Sequence, residues 1–442
     1  MKTMTIATAL LCATVSLAQQ SHTMSLKEAI AYGRQHCPSL VIATNDVYKA
    51  KAQAVETRGA LLPQISAGGQ LDDNIKRQTT YLPAGVFGED PMAVQLGTQY
   101  ATSFSFQSDQ ALLDLSLRQA VKANEPNIMM ARIRNEQTDE QLIYDASKSY
   151  AQALIYQEQV RLLAENQKQY DELVPILRLR LEKGVAQQLE VDRVEVTRRN
   201  IISQRTVAQA NYHLAIAQLQ RVIGMPLNEQ LTLSDPVRLA AGLREPTARP
   251  FTLDVLSSHR YTEQSILLKE IEVKRRRATR LPTISSYSRF GALAQGDDFG
   301  GHFDTWHSYN TIGLKMSVPL FSGFRRTSQI KQAELDLMSA RAQMKSNELG
   351  WQLDYQSADT RMSASRSTVT NDEENLHLAE QVFANTNLQY QQGLAPLSDL
   401  LNADYQLQEA WNNYTTSLLN HYIATIDVEK AKGSLTEFAQ TL

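Results

Sequence analysis

Two glycines, each set between long helical patterns, constrain this chain more than any other feature. The stretch Gln392-Gly-Leu-Ala-Pro-Leu-Ser-Asp-Leu-Leu-Asn402 follows a helical pattern that begins near Phe324 and precedes one that reaches about Ala431. Gly393 supplies the left-handed backbone that closes a helix, and Pro396 with Asp399 opens the next. The stretch therefore reads as the tip of a helical hairpin with arms far longer than ordinary globular helices. Lys183-Gly-Val-Ala-Gln-Gln-Leu-Glu-Val-Asp192 repeats the layout 209 residues earlier, with Gly184 in the place of Gly393 and an acid, Glu190, opening the returning helix. Matched tips on two long hairpins imply a duplication.

The spacings agree. Gly184 to Gly224 is 40 residues and Gly393 to Gly433 is also 40, while Ala111 to Gly184 is 73 and Pro319 to Gly393 is 74. The intervening strand region differs, 48 residues from Pro63 to Ala111 against 37 from Pro282 to Pro319. Constant helices beside a variable loop fit a rigid tube whose outer loops are free to change.

Ser25-Leu-Lys-Glu28 is a capping box that starts a helix running to about Gly59, interrupted near Cys37-Pro38. The period then becomes two. Ile65, Ala67 and Leu71 fall opposite Gln64, Ser66, Gly68 and Gln70, and a second run sets Tyr100, Phe104 and Phe106 against Ala101, Ser103 and Ser105. Lys76 to Gly97 between them reads as a turn-rich loop. Helix is expected from Leu115 to Lys183, with kinks or breaks at Pro126 and Pro175. Unbroken, it would be roughly 100 Å long at about 1.5 Å per residue. The returning helix carries Val194, Ile201, Ala208, Ala215 and Val222 at sevens, a coiled-coil seam. The second half repeats the programme: Leu281-Pro-Thr-Ile-Ser285 echoes Leu62-Pro-Gln-Ile-Ser66. A strand then follows, with Ile312, Leu314, Met316, Val318 and Leu320 on one side and Thr311, Gly313, Lys315 and Ser317 on the other. Seven-residue stripes resume at Ile330, Leu337, Met344, Trp351 and Ala358, and after the tip at Leu400, Leu407, Tyr414, His421 and Val428.

Composition narrows the function. A formal charge of -3 argues against nucleic-acid binding, which needs basic patches. Residues 1–18 read as a secretory signal peptide: Lys2, an apolar run from Ile6 to Val15, and a Ser16-Leu-Ala18 cleavage site. Cys12 lacks the small residue before it that lipid attachment uses. Removal of that segment leaves Cys37 alone, so no intrachain disulfide is expected, and no apolar run is long enough for a transmembrane helix. The eight His residues form no ligand cluster, with His302 and His307 placed in an outer loop beside Trp306; no metal or cofactor site is expected. No nucleophile motif or phosphate loop follows a strand, so enzymatic activity is not expected. Lys274-Arg-Arg-Arg277 reads as a solvated helix face.

Each half thus supplies two amphipathic strands, and four strands cannot close a barrel. An exported chain with such strands must assemble or pack them into a soluble sheet. The chain resembles the TolC-type outer membrane efflux family. The resemblance rests on Leu26-Lys-Glu-Ala29 with Pro38, the two Leu-Pro-x-Ile-Ser strand entries, Ile223-Gly-Met-Pro-Leu227, Val318-Pro-Leu-Phe-Ser-Gly323 and the two Gly-centred tips. It implies a mainly α fold with a membrane β-barrel portion, in a homotrimer whose four strands per chain form one twelve-stranded outer-membrane barrel in contact with lipid. The implied domains are residues 19–223 (strands about 61–113, hairpin about 115–223), an equatorial connector at 224–250, residues 251–433 (strands about 282–321, hairpin about 324–433), and a tail at 434–442. The implied function is a passive exit duct for efflux or type I secretion, working with a periplasmic adaptor and an inner-membrane pump of RND or ABC type. A non-conducting coiled-coil envelope scaffold is the alternative.

The resemblance also places a gate at the tips. Asp399 matches the first of two acids that ring the entrance in this family; Asn402 stands at the second, and Ala395 replaces an arginine. Glu190 matches a carboxylate that bonds a tyrosine before the second tip, which is Tyr390 here. A simpler role is open to both acids, since a carboxylate in a helix's first turn is stabilised by free N–H groups and the helix dipole.

Overall fold

The computed structural model describes residues 21–85, 90–235 and 250–441, so the expected signal peptide and much of the expected connector lie outside the described residues. The chain runs β1 (Ser21–Met24), α1 (Leu26–His36), α2 (Pro38–Gly59), β2 (Gln64–Asp73), β3 (Thr79–Leu82), β4 (Met92–Gln95), β5 (Tyr100–Leu113), α3 (Leu115–Lys122), α4 (Asn124–Glu182) and α5 (Gln188–Ile223). It continues through β6 (Gln230–Leu233), α6 (Ser257–Ala278), β7 (Thr283–Gly296), β8 (Trp306–Ser317), α7 (Arg325–Gln391), α8 (Leu397–Lys432) and α9 (Leu435–Thr441). These fall into two compact units, the described parts of Met1–Ala43, Arg134–His259 and Asn347–Leu442 in one, and Thr44–Ile133 with Arg260–Ser346 in the other.

The second unit holds a four-stranded antiparallel sheet in the order β2-β5-β7-β8. Gln64 pairs with Asp109, Phe104 with Ala292, and Ser288 with Ile312, so the two sequence halves meet at β5–β7. Residues directly opposite share a face. One face collects Ile65, Leu71, Phe104, Phe106, Phe290, Ile312, Leu314 and Met316; the other collects Gln64, Ser66, Ser103, Gln107, Arg289, Thr311 and Lys315. The apolar face is not buried within the chain: Ile312 is 78% exposed and Ile65 76%.

The structure departs from the sequence expectation at both ends of this region. The expected loop at 76–97 contains the β3–β4 hairpin, Thr79 opposite Gln95 and Leu82 opposite Met92, in runs too short to register as alternation. The last strand stops at Ser317, so Val318 and Leu320 lie beyond it. Pro319 has no N–H to give a ladder, which ends the pairing there. His307 belongs to β8 rather than to the preceding loop.

In the first unit, helices α1, α4, α5, α8 and α9 share one core through Leu26, Ile30, Ile143, Tyr150, Leu219, Ile223, Ile426, Leu435 and Phe438. Three elements here were not legible in the sequence. β1 and β6 pair in parallel, Ser21 with Gln230 and Met24 with Leu233, and the Tyr150 hydroxyl donates to the Met24 carbonyl at 3.0 Å. The expected tail at 434–442 includes helix α9, which buries Leu435 and Phe438. Its spacing, an apolar residue every three or four, is visible only once its partner helices are known.

The duplication is explicit in the returning helices. α5 and α8 each have 36 residues, and each ends on a left-handed glycine, Gly224 at φ 73° and Gly433 at φ 71°. The two prolines expected to kink or break the helix behave differently. Pro126 sits in the first turn of α4, just after a break at Ala123, where its missing N–H has no intrahelical acceptor. Pro175 lies inside α4 without ending it. It is exposed, while Val174 and Leu177 on either side are buried in the tip cluster.

Candidate functional site: the hairpin tips

Both tips use one backbone device. The Gly184 N–H bonds Leu181 O at 2.9 Å and the Val185 N–H bonds Arg180 O at 2.9 Å; the Gly393 N–H bonds Tyr390 O at 3.0 Å and the Leu394 N–H bonds Gln389 O at 2.8 Å. This doubled closure of the last turn needs a left-handed residue, and Gly184 and Gly393 supply it at φ 72° and 74°. Pro396 then caps α8 in extended geometry, φ -74° and ψ 159°. At the first tip Glu190 caps the start of its own helix, the Gln187 N–H donating to Glu190 Oε2 at 3.1 Å.

An apolar cluster ties the two tips together. Tyr170, Val174 and Leu177 from α4, Val191, Val194 and Ile201 from α5, Tyr390 from α7, and Leu397 and Leu400 from α8 are all buried in it. Full burial of one such aliphatic side chain contributes about 1.5–3 kcal/mol, so this cluster is enough to dock one hairpin on the other.

The expected site residues separate into two groups. Asp399 and Asn402 are exposed and lie three residues apart, on one side of the first turns of α8. Asp399 Oδ1 accepts from Ser398 Oγ at 3.3 Å. Tyr390 is buried, and Glu190 half-buried, near the same point. Burial pushes the Tyr390 phenol up from its ordinary range; Arg180 opposes this and the Glu190 carboxylate adds to it, so the three form one electrostatic cluster. The Arg180 guanidinium lies over the Tyr390 ring, 5.5 Å from its centroid. Arg180 was not singled out from sequence, and nothing in its spacing marks it.

Asp404 was also missed. It is 4% exposed, on α8, where Leu397, Leu400, Asp404 and Leu407 follow the alternating three-four spacing of a helix seam. An acid at a seam position was the available signal. Tyr170 Oη donates to Asp404 Oδ2 at 2.8 Å from α4, and Gln408 Nε2 donates to the same oxygen at 2.7 Å.

His302, His421 and the arginines of the basic run all have structural partners. His302 is buried in the second unit: its Nδ1–H donates to Phe299 O at 2.6 Å and its Nε2 accepts from Thr102 Oγ1 at 2.9 Å, leaving neither ring nitrogen for a metal. Among the described residues no group of three or more His, Cys, Asp or Glu could hold a metal ion. His421 is buried and bonded to Ser365, with burial lowering its pKa. Arg275 and Arg276 bind Glu272, and Arg277 binds Glu334. No described helix is long and apolar enough to cross a membrane.

A small sheet with an outward apolar face and open edges, joined in sequence to two very long hairpins with glycine tips, defines a class: duct-forming proteins that pool a few strands from each chain. The comparisons agree. The model of the outer membrane efflux protein family matches residues 33–225 and 264–434, and the chain belongs to that family. Outer membrane protein TolC of Escherichia coli (strain K12) is 22% identical over 429 residues, covering 94% of this chain and 84% of that protein. Proteases secretion protein PrtF of Dickeya chrysanthemi is 23% identical over 346 residues, 70% of this chain and 71% of that protein. Among solved structures, the Campylobacter jejuni CmeC outer membrane channel aligns with a TM-score of 0.76 at 15% identity, over 94% of this chain and 88% of that one. The open state of the Neisseria gonorrhoeae MtrE outer membrane channel aligns at 0.75 and 16%, over 93% and 89%. The chain is an outer-membrane protein of the efflux and secretion duct type.

Proposed function

We propose that three copies of this chain close one twelve-stranded barrel in the outer membrane and that their hairpins enclose a periplasmic exit duct gated at the tips. The observation that carries this reading is the sheet: β2 and β8 are unpaired edges, exposed along almost their whole length, and one sheet face is apolar while the other is polar. Open edges must be covered. Closure through second and third copies pairs them and points the apolar face to lipid and the polar face to water. Leu335, Met338, Leu349 and Leu353 on α7 are exposed in the single chain and fit helix contacts between copies. The duct performs no chemistry. A periplasmic adaptor and an inner-membrane pump, of the RND or ABC kind, supply energy and select the cargo, for efflux or for type I secretion.

At the tips, Asp399 from three copies forms an acidic ring at the entrance that favours cations. Asn402 and Ala395 leave that ring without a second charge or a counter-cation, so the gate is loosely locked. Arg180, Glu190 and Tyr390 set the position of the second tip against the first. Fractionation is the test of the assembly: the protein should migrate as a heat-modifiable trimer from outer-membrane fractions, and a soluble periplasmic monomer would defeat the proposal. Single-channel recording of Asp399→Ala tests the ring. Cation selectivity should fall, and unchanged selectivity removes Asp399 from the gate.

A further inference from the structure

We propose that Asp404 is a proton-holding clasp between the two hairpins and a positioning residue for the tip, tight when its carboxyl is neutral and slack when it is ionised. The inference rests on the reading of the tips as a gate.

The hydrogen-bond inventory allows for this. Asp404 accepts from Tyr170 on α4 and from Gln408 on its own helix, both through Oδ2, and the Asn166 amide on α4 also lies in hydrogen-bond contact with the carboxyl. Yet Asn166 Oδ1, itself shielded from solvent, has no donor. A carboxylate offers no proton to fill that vacancy, whereas a carboxylic acid has one O–H to give. With its amide turned half about, Asn166 would give up the N–H bond it now makes to Asp404 and accept the O–H of the neutral acid through Oδ1. The turned amide leaves its N–H where Oδ1 stood, so the cluster accommodates the acid as well as the anion, and the choice between them falls to the surrounding charges.

The charges around Asp404 favour the acid. It borders a groove of about 720 Å3 between α4, α5 and α8 whose lining contains no Lys or Arg. The other titratable acids of that lining are Glu165 from α4 and Glu409 from α8. From α5 the groove receives the neutral Ser203, Gln204 and Asn211; Arg205 of that helix, whose Nη1 donates to Gln167 at 2.9 Å while its buried Nε is unpartnered, is not part of the lining. An ionised Asp404 is therefore a buried anion without a cation, an arrangement that burial strongly disfavours. Burial is the largest influence on this carboxyl and raises its pKa; the bonds from Tyr170, Gln408 and Asn166 offset the rise only in part. The groove gives solvent protons a route to the group.

The position connects the clasp to function. Asp404 lies two residues after Asn402 and five after Asp399 on the same helix, directly beyond the apolar contacts of Leu397 and Leu400 with the first hairpin. Proton loss puts an unpaired charge into that seam, which draws in water and loosens α8 from α4. The tip then opens more readily as the periplasm turns less acidic.

Two measurements on the full-length protein decide the matter. Infrared difference spectra, wild type minus Asp404→Asn, should show a protonated-carboxyl C=O band at about pH 5, above the ordinary Asp range near 3.9. In Tyr170→Phe, which loses a bond that favours the anion, the band should persist to higher pH. In planar bilayers the wild-type open probability should rise between about pH 5 and about pH 8, a span that begins above the ordinary Asp range near 3.9. Asp404→Asn, permanently neutral, should stay at the low value at both pH values. Absence of the band at about pH 5 overturns the proton assignment, whether or not the protein conducts. A band together with a wild-type pH profile in Asp404→Asn overturns the positioning role. A wild-type protein that never conducts defeats the gate reading beneath the proposal, with the infrared result still deciding the proton.

Discussion

Replacing Gly224 by alanine separates a glycine required by conformation alone from one required by packing as well. Gly184, Gly224 and Gly393 all adopt φ between 72° and 74°, where a Cβ costs an L residue about 1–2 kcal/mol. At Gly184 and Gly393 an added Cβ meets nothing within 4 Å, so that cost is the whole penalty. At Gly224 the Cβ falls 2.6 Å from the His36 carbonyl oxygen, 2.9 Å from its carbon and 3.0 Å from Cys37 Cα. All three are backbone atoms at the α1–α2 junction and cannot rotate away. Relief requires α1 to move, although Leu26, Ala29 and Ile30 anchor that helix in the shared core. Overpacking of this kind adds about 1–3 kcal/mol, for a total of about 2–5 kcal/mol at Gly224. The assay is thermal unfolding of the detergent-solubilised protein, with all variants scanned at one rate because unfolding of such assemblies is commonly irreversible. Gly224→Ala should melt well below Gly184→Ala and Gly393→Ala, which should lie close together. Equal melting of all three would refute the packing argument.

Other perturbations probe the sheet, the C-terminal helix and the tip. Leu314→Lys puts a charge on the apolar sheet face, costing about 2–4 kcal/mol if that face meets mid-bilayer lipid, and should deplete the protein from outer membranes. Thr311→Lys, on the polar face, should leave its level unchanged; equal depletion by both would show that the faces are not lipid and water. Phe438→Ala removes a buried ring of α9 and should cost about 3–5 kcal/mol, read as a lower melting temperature. Tyr390→Phe should raise single-channel conductance if the hydroxyl helps hold the tip shut through Glu190 and Arg180; an unchanged value assigns Tyr390 to packing alone. Asp404 also gives the stability a pH trend. Its folded-state pKa is raised, so its contribution is fully present below the ordinary Asp value and lost as pH rises through the raised value. Melting temperature should fall across that window, and Asp404→Asn should flatten the fall.

Much of this fold can be read from the sequence because its signals are long and periodic. Of the seam Val194, Ile201, Ala208, Ala215 and Val222, the first four are buried and Val222 is half-buried, as a helix facing neighbours at every second turn should be. The tip glycines were legible because only glycine adopts the left-handed closure cheaply, and the sheet faces because alternation is forced by the pleat. What escaped was short or contextual. β1, β6 and the β3–β4 hairpin have four residues per strand, too few to distinguish period two from chance. Arg180 reaches Tyr390 across a turn and a change of hairpin, a proximity no local spacing encodes. Asp404 did carry a signal, an acid on an otherwise apolar stripe, but its meaning depends on Tyr170, 234 residues away in sequence. Pro175 shows the converse, a strong local breaker overridden by the buried neighbours on either side of it.

Conduction decides whether this chain forms a water-filled duct. Trimers extracted from outer membranes and inserted into planar lipid bilayers should give discrete, cation-preferring single-channel currents, with the preference reduced in Asp399→Ala. Trimers that insert but carry no current at any voltage or pH would contradict the duct and leave the coiled-coil scaffold as the function of the fold.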